Sequence, residues 1–440
     1  MKTHSGQYEK ARRVLPGGVN SSVRMNRAIG TPFYVSRAAG SRITDLEDRS
    51  FIDMCCAHGA GLLGHAHPGV EAAVRKACEL GIASSFETEY HEELARRLCA
   101  HIPCADRIRF CSSGSEATLH LIRACRAFAR KDKIIRVEGH FHGYHEMIYI
   151  GGQPPPSAFA GNREHPYRES PGIPAGFADF IIPVPFNDAE AMARAIAAHG
   201  HEAAMVILEP VNYNSGGIAP LPGYLEAVRQ MTKDAGIVLF FDEIQSSFKK
   251  SPGGAQADFG VIPDVCTIGK AIGGGLPLSA FCGKAEIMDL FQPVGPVQHS
   301  GTFNANLIPV MAGLAFLDEA EKPGFYPALQ GLEKAFHAGV DEIIRANDLG
   351  MIVPHHGARF DILLGRKTPP VRYEDIFCHD KALMLEIVRG CLDRGVYFHD
   401  YGGAAAHHGY SIQHTPSDID TVLGVLGEVL RGLREKLCLR

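Results

Sequence analysis

Lys270 follows the apolar run Val265-Cys-Thr-Ile268 and precedes the turn Gly273-Gly-Gly275. An exposed lysine has a pKa near ~10.4 and keeps its proton at neutral pH. At a strand end among apolar side chains the ammonium is desolvated and its pKa falls. The neutral amine is then a nucleophile that can form a Schiff base with a carbonyl compound. A lone lysine in a loop reads equally as surface charge, so the weight comes from upstream. Ile237 to Phe241 read as a buried strand that carries Asp242 and Glu243 at its C-terminal end, where ligands of open α/β sheets bind. A buried carboxylate there requires a positive partner. The segment between Asp242 and Lys270 is long enough for one helical crossover and a return to the sheet.

A third segment is Arg107-Ile-Arg-Phe-Cys-Ser-Ser-Gly-Ser-Glu-Ala117. It predicts a short strand, a Ser/Gly turn and a helix reaching about Ala129. A helix N-terminus offers unpaired N–H groups and a positive dipole end, so Ser113, Gly114 and Ser115 could cradle a phosphate. The same residues also read as a plain N-cap. Phosphate turn, carboxylate and amine, in that chain order, suit pyridoxal phosphate. Its aldehyde takes the lysine, and its protonated pyridine nitrogen takes the aspartate.

Two other classes fit less well. Apolar residues followed by Asp242-Glu243 look like the acidic strand of a P-loop ATPase, but the sequence has no G-x-x-x-x-G-K-[ST], and Lys270 is followed by Ala271. Gly59-Ala-Gly-Leu-Leu-Gly64 is a literal G-x-G-x-x-G. It follows a poor strand, Met54 to His58, and is interrupted by His65-Ala-His-Pro68 where a dinucleotide-binding helix should continue. A non-enzymatic relative of the same fold is disfavoured by the presence of both Lys270 and Asp242.

The order of motifs resembles a known family. These are Pro16-Gly-Gly-Val-Asn-Ser-Ser-Val-Arg24, Leu63-Gly-His-Ala-His-Pro68, Ser113-Gly-Ser-Glu-Ala117, Glu138-Gly-His-Phe-His-Gly143, Glu209-Pro210, Phe241-Asp-Glu243, Gly269-Lys270 and Gly301-Thr-Phe-Asn304. Over about Ala11 to Leu430 the chain is similar to the class III pyridoxal-phosphate aminotransferases, and among them to the glutamate-1-semialdehyde 2,1-aminomutase-like branch. The resemblance implies fold type I. It implies that Lys270 is the Schiff-base lysine and Asp242 the pyridinium partner. Gly114 and Ser115 match the phosphate turn, Phe141 the stacking aromatic, and Ile244 the opposite ring face. Glu209 and Asn214 match residues near the ring hydroxyl. Thr302 matches a hydroxyl that reaches the partner subunit's phosphate, so a homodimer is implied. Ser21 and Arg24 match a pair that holds a substrate carboxylate, a task suited to the guanidinium fork.

Two departures bear on the substrate. The aminomutase has a tryptophan a few residues before the Leu-Gly-His-Ala-His-Pro match; here the position is His58, and the chain has no tryptophan. Its pocket glutamate near the C-terminus corresponds to Ala406, or with a shift of one to His407, in Gly403-Ala-Ala-Ala-His-His-Gly-Tyr410. The expectation is an aminotransferase moving an amino group between an amino-acid or amine donor and an oxo-acid acceptor. The alternative is the intramolecular aminomutase. His142 and His145 flank a turn without further metal-ligand spacing, so no metal is expected. The Pro- and Gly-rich stretch 151–176 reads as a lid or a surface insertion.

Composition agrees with a globular enzyme. The chain has 440 residues, 45% apolar and 21% charged, with a net charge of −5. This favours neither nucleic acid nor an anionic membrane. No apolar run suits a membrane span, the N-terminus lacks a signal core, and the 12 cysteines contain no C-x-x-C. These features read as reduced thiols in a cytoplasmic protein. Apolar strands alternate with helices from about Gly69 to Phe303, which predicts an α/β fold with a mostly parallel sheet flanked by helices. The expected organisation has three parts: an N-terminal segment, 1–57, joining the small domain; a large cofactor-binding domain, 58–305; and a smaller α+β domain, 306–440.

Overall fold

A computed structural model describes residues 3–159 and 166–438. Its centre is a seven-stranded sheet of β1 (Arg107–Cys111), β2 (Lys133–Val137), β3 (Ile181–Val184), β4 (Ala203–Leu208), β5 (Val238–Glu243), β6 (Val265–Ile268) and β7 (Ser279–Gly283). The spatial order is β1-β7-β6-β5-β4-β2-β3. The β2–β3, β2–β4, β4–β5 and β5–β6 pairs are parallel, while β7 runs antiparallel to both β6 and β1. This is the mostly parallel sheet that the sequence predicts, with one reversed strand. β4 and β5 are buried at every residue, as expected of strands covered on both faces.

Side chains alternate across the sheet. Val238 and Phe240 of β5 face a core shared with Ala117, Leu121 and Cys125 of helix α1 (Gly114–Ala129). Leu239 and Phe241 face the opposite core. The period of two therefore places Asp242 on the Phe240 face, toward α1, and Glu243 on the other. The strand itself extends through Glu243, two residues past the predicted end. Register sets Asp242 beside Thr267 and Glu243 beside Ile268, so the chain reaches Lys270 two residues beyond the neighbouring strand's end.

The N-terminal strands Val35–Ala39, Arg42–Asp45 and Ser50–Asp53 form a four-stranded sheet with Val396–Tyr397. Ser50–Asp53 pairs with Val396–Tyr397 in parallel, which joins the first segment to the C-terminal region. The helix Leu307–Ala320 is buried on nearly every side. Its Gly313 lies so close to Ile272 and Leu94 that a Cβ there would sit 2.9 Å from the Ile272 carbonyl oxygen. This helix belongs to the core around the Lys270 turn. Of the 151–176 stretch, residues 160–165 lie outside the described residues. The described flanks are tied down: Glu169 accepts from Gln153 N at 2.9 Å and from Gly152 N, and Tyr373 Oη donates to the Pro154 carbonyl at 3.0 Å. Among the described residues no helix is long and apolar enough to cross a membrane.

Phe240 is fully buried two residues before Asp242 on the same face. Phe240→Ala is expected to lower stability by about 3–5 kcal/mol, read from urea unfolding.

Candidate active site

The carboxyl ends of β4, β5 and β6 and the start of α1 surround one cavity. It brings together Gly114, Ser115, Phe141, Glu209, Asn214, Asp242, Ile244 and Lys270, and adds His142, Gly143 and Gln245. Asp242 is buried and fixed by three donors. His142 Nδ1 lies 2.8 Å from Oδ2, Thr267 Oγ1 donates to Oδ1 at 3.0 Å, and the Ile244 N–H donates to Oδ1 at 3.2 Å. His142 thus has a carboxylate partner. Glu243, on the opposite face, accepts from Gln256 Nε2 at 2.8 Å and from the Ala255 N–H, which orders the 254–256 turn.

Glu209 forms another wall. The Phe141 N–H donates to its Oε1 at 2.7 Å, and Asn214 Nδ2 donates to its Oε2 at 2.9 Å. Burial, reinforced by the nearby Asp242 charge, pushes the Glu209 carboxyl up to about 8. Burial pulls Lys270 down to about 8, against the opposing pull of Asp242 and Glu209. A lysine in this range has an appreciable neutral fraction at ordinary pH, as a nucleophile or proton carrier requires. Part of its surface remains open to the cavity.

Ser113 lies outside the lining. Its hydroxyl accepts from the Glu116 N–H at 3.3 Å, while its own N–H donates to Glu116 Oε2 at 2.9 Å. It is the N-cap of α1, and a phosphate cradle there rests on Gly114 and Ser115 alone. Two further glycines clear space. A Cβ on Gly143 would meet Ser115 Oγ at 2.8 Å, and one on Gly269 would meet Ile244 Cδ1 at 2.8 Å.

The other expected residues are spread around the cavity. Ser21 lines a separate groove with Tyr8, Pro16 and Asn20, and Arg24 is exposed on the turn Ser22–Arg24. Thr302 lies in a larger open cleft with Phe86, Arg109 and His299. The structure of the single chain therefore does not bring Ser21 or Thr302 into the cofactor cavity. His58 is half-buried, and its Nδ1 lies 2.6 Å from Tyr401 Oη. Its ring stands edge-on to His399 at 4.6 Å, and His399 Nε2 donates to the Val23 carbonyl at 2.7 Å, anchoring the turn that carries Arg24. Burial, with help from His399 and neighbouring cations, pulls His58 down to about 3, so this ring is neutral. Ala406 is buried, and of the two positions that could replace the glutamate it is His407 that faces the His58–Tyr401 pair. Sequence reading missed Thr267, Gln245, Tyr401 and His399. Only Gln245, adjoining the Asp-Glu pair, carried any local signal.

Two kinds of comparison agree with this geometry. The family model described as aminotransferase class-III matches residues 25–405. A glutamate-1-semialdehyde 2,1-aminomutase of Methanosarcina acetivorans is 38% identical over 390 residues, covering 89% of this chain and 90% of that protein. A second, from Syntrophus aciditrophicus, is 38% identical and covers 97% of each chain. Among solved structures, an omega-transaminase from Sphaerobacter thermophilus superposes with a TM-score of 0.90 at 29% identity, covering 98% of each chain. A beta-phenylalanine aminotransferase from Variovorax paradoxus gives 0.87 at 28% identity, covering 99% of this chain and 95% of that one. The chain belongs to aminotransferase class III. It is an enzyme of fold type I, and its cofactor is pyridoxal 5′-phosphate.

The cavity fits that group. The first turn of α1 and the space left by Gly143 suit its phosphate, Phe141 and Ile244 suit its ring faces, and the pinned Asp242 suits its ring nitrogen.

Below about pH 8 the neutral fraction of Lys270 falls about tenfold per pH unit. Cofactor capture by cofactor-free protein, followed by visible absorbance, should therefore accelerate with rising pH and level off above about 8.

Proposed function

We propose that the enzyme is an aminotransferase that moves an amino group between separate molecules, an amino-acid or amine donor and an oxo-acid acceptor. The observation that carries the amino-transfer chemistry is one cavity holding Lys270, the triply bonded Asp242 and the open start of α1. When bound, pyridoxal phosphate supplies the carbon that receives the amino group and a cationic ring that accepts the electron pair left at the substrate's Cα. Lys270 would take the proton from the substrate's Cα and deliver it to that cofactor carbon. Asp242 keeps the ring nitrogen protonated, and His142 and Thr267 stop its carboxylate from turning away. Glu209 and Asn214 hold the Phe141 strap across the cavity.

The alternative is the intramolecular aminomutase, supported by the names of the 36–38% identical relatives. The wall beside Lys270 supports transfer between molecules. Where the aminomutase resemblance calls for a tryptophan and a glutamate, neutral His58 and His407 stand with Tyr401. Among the described residues, none of the side chains of this His58, His407 and Tyr401 group is acidic, so none is suited to hold a second amino group. A homodimer completed by Thr302 belongs to the same proposal. Thr302, Phe86 and Phe303 are exposed around an open cleft, as a partner surface would be.

The test is to add candidate amines and amino acids to the cofactor-loaded enzyme and assay the free carbonyl product. A stoichiometric carbonyl product supports transfer. Turnover of glutamate 1-semialdehyde with no free oxo acid would establish the aminomutase instead. Lys270→Ala should abolish turnover while the phosphate site still retains cofactor on gel filtration. Asp242→Asn should lower kcat at least about 100-fold with cofactor still bound.

A further inference from the structure

Arg359 is a buried guanidinium that forms no ion pair among the described residues. It is 1% exposed. Its Nη1 donates to the Cys55 carbonyl at 3.0 Å, and its Nη2 donates to His407 Nδ1 at 2.6 Å and to the His407 carbonyl at 2.9 Å. All three acceptors are neutral, since His407 receives a hydrogen bond at Nδ1 and burial lowers its pKa well below the usual imidazole value. Arg359 Nε has no partner, and among the described residues Arg359 forms no ion pair. Asp361, two residues on, leaves both carboxyl oxygens unpartnered, and burial raises its pKa well above the usual carboxylate range. A guanidinium keeps its charge at every ordinary pH.

Two glycines make room for it. A Cβ on Gly409 would sit 2.5 Å from Nη1. A Cβ on Gly59 would sit 3.3 Å from Nε, 3.1 Å from Gln245 Oε1 and 3.3 Å from Lys249 Cε. The guanidinium, Gln245 and Lys249 therefore all border the space beside Gly59. Gln245 lines the cofactor cavity, is 3% exposed, and has no partner for either amide atom. Lys249 is fully buried, with only a 3.5 Å contact from Nζ to the Ser247 carbonyl. Burial and the neighbouring cations pull its pKa well down, so Arg359 is the fixed charge of the group. Unsatisfied donors converge beside the cavity that holds Lys270, and the ligand they lack is an anion.

We propose that Arg359, with the Gln245 amide, binds the carboxylate nearest the reacting carbon of a small 2-oxo acid and of the amino acid it becomes. This rests on the aminotransferase reading and names its acceptor class. The placement is specific. Arg24 is exposed on its turn beside His58 and suits a distal acid group, whereas Arg359 lies deep and acts electrostatically on Lys270 itself. The donors left free, Arg359 Nε and Gln245 Nε2, can each bond one oxygen of a carboxylate, whereas an aldehyde acceptor offers a single oxygen.

The experiment compares cofactor-loaded wild type, Arg359→Met and Arg359→Lys. Acceptors are pyruvate and the carboxyl-free propanal. Propionate, which cannot react, is titrated by calorimetry. The expected result is a KM for pyruvate raised about 10- to 100-fold in Arg359→Met, with propanal unchanged. Propionate binds wild type competitively with pyruvate, binds Arg359→Met at least about tenfold more weakly, and recovers in part in Arg359→Lys. Equal losses for pyruvate and propanal, an unchanged KM for pyruvate, or no propionate binding to wild type would overturn the assignment. If Arg359→Met loses cofactor absorbance or its cooperative melt, Arg359→Lys decides: undiminished propionate affinity there overturns the proposal, and weakened affinity with normal absorbance upholds it. Wild type that transfers no amino group to either acceptor defeats the proposed function, while propionate binding still reads Arg359 independently.

Discussion

A buried carboxylate is the constraint on which the active end of the sheet depends. Asp242 stands at the end of a strand whose every residue is covered, so it needs partners whether or not a ligand is present. His142 from the segment after β2, Thr267 from the adjacent strand and the backbone of Ile244 supply them. These bonds do more than offset burial. They link three chain segments at one point and fix the direction of both carboxyl oxygens. Lys270 can then sit one strand away with its ammonium weakened by the same burial and restrained by the same charge.

The acids of this region are separated by environment. Asp242 and Glu209 face one cavity and repel, so burial and mutual charge push Glu209 up to about 8. Glu243, one residue from Asp242, is turned by the strand's alternation into an enclosed turn, where burial raises it to about 7. One strand end thus carries an acid for the site and an acid for the scaffold. The distinction is geometric, since the residue types are nearly identical.

The part of the cavity that fits the cofactor and the wall beside Lys270 differ in character. The first is built from glycines, a capped helix and pinned acids, and it fits the family's shared cofactor. The second is a sequence of rings and cations: His399 on the Val23 carbonyl, His58 on Tyr401, and His407 on Arg359. Rings with lowered pKa values pack closely because they carry no charge. Aminomutases at 38% identity and transaminases at 28–29% identity both align over nearly the whole chain. Overall similarity thus does not choose between the two activities, and this wall is where the chain departs from the aminomutase pattern.

The sequence by itself determined the sheet's buried strands, the turn before α1, and the meeting of Asp242 and Lys270 at one cavity. Each is local: an apolar run long enough for a covered strand, a Ser/Gly turn before a helix, and a charged residue at a fixed distance from a strand end. Val265–Ile268 and the end of α1 at Ala129 stand where the pattern puts them. Tertiary structure decided what local pattern cannot carry. Ser113 turned into a cap because Glu116 reaches back to it, and Ser21 went to a separate groove. Helix Leu307–Ala320 joined the core around the Lys270 turn, because its apolar surface runs all round and must be covered on every side. Arg359 was invisible in sequence as anything but a charge in a short strand. Its meaning comes from Gly59, Gly409, Gln245 and His407, which lie far from it in the chain and meet only in the fold, where removal from water makes an unpaired charge costly.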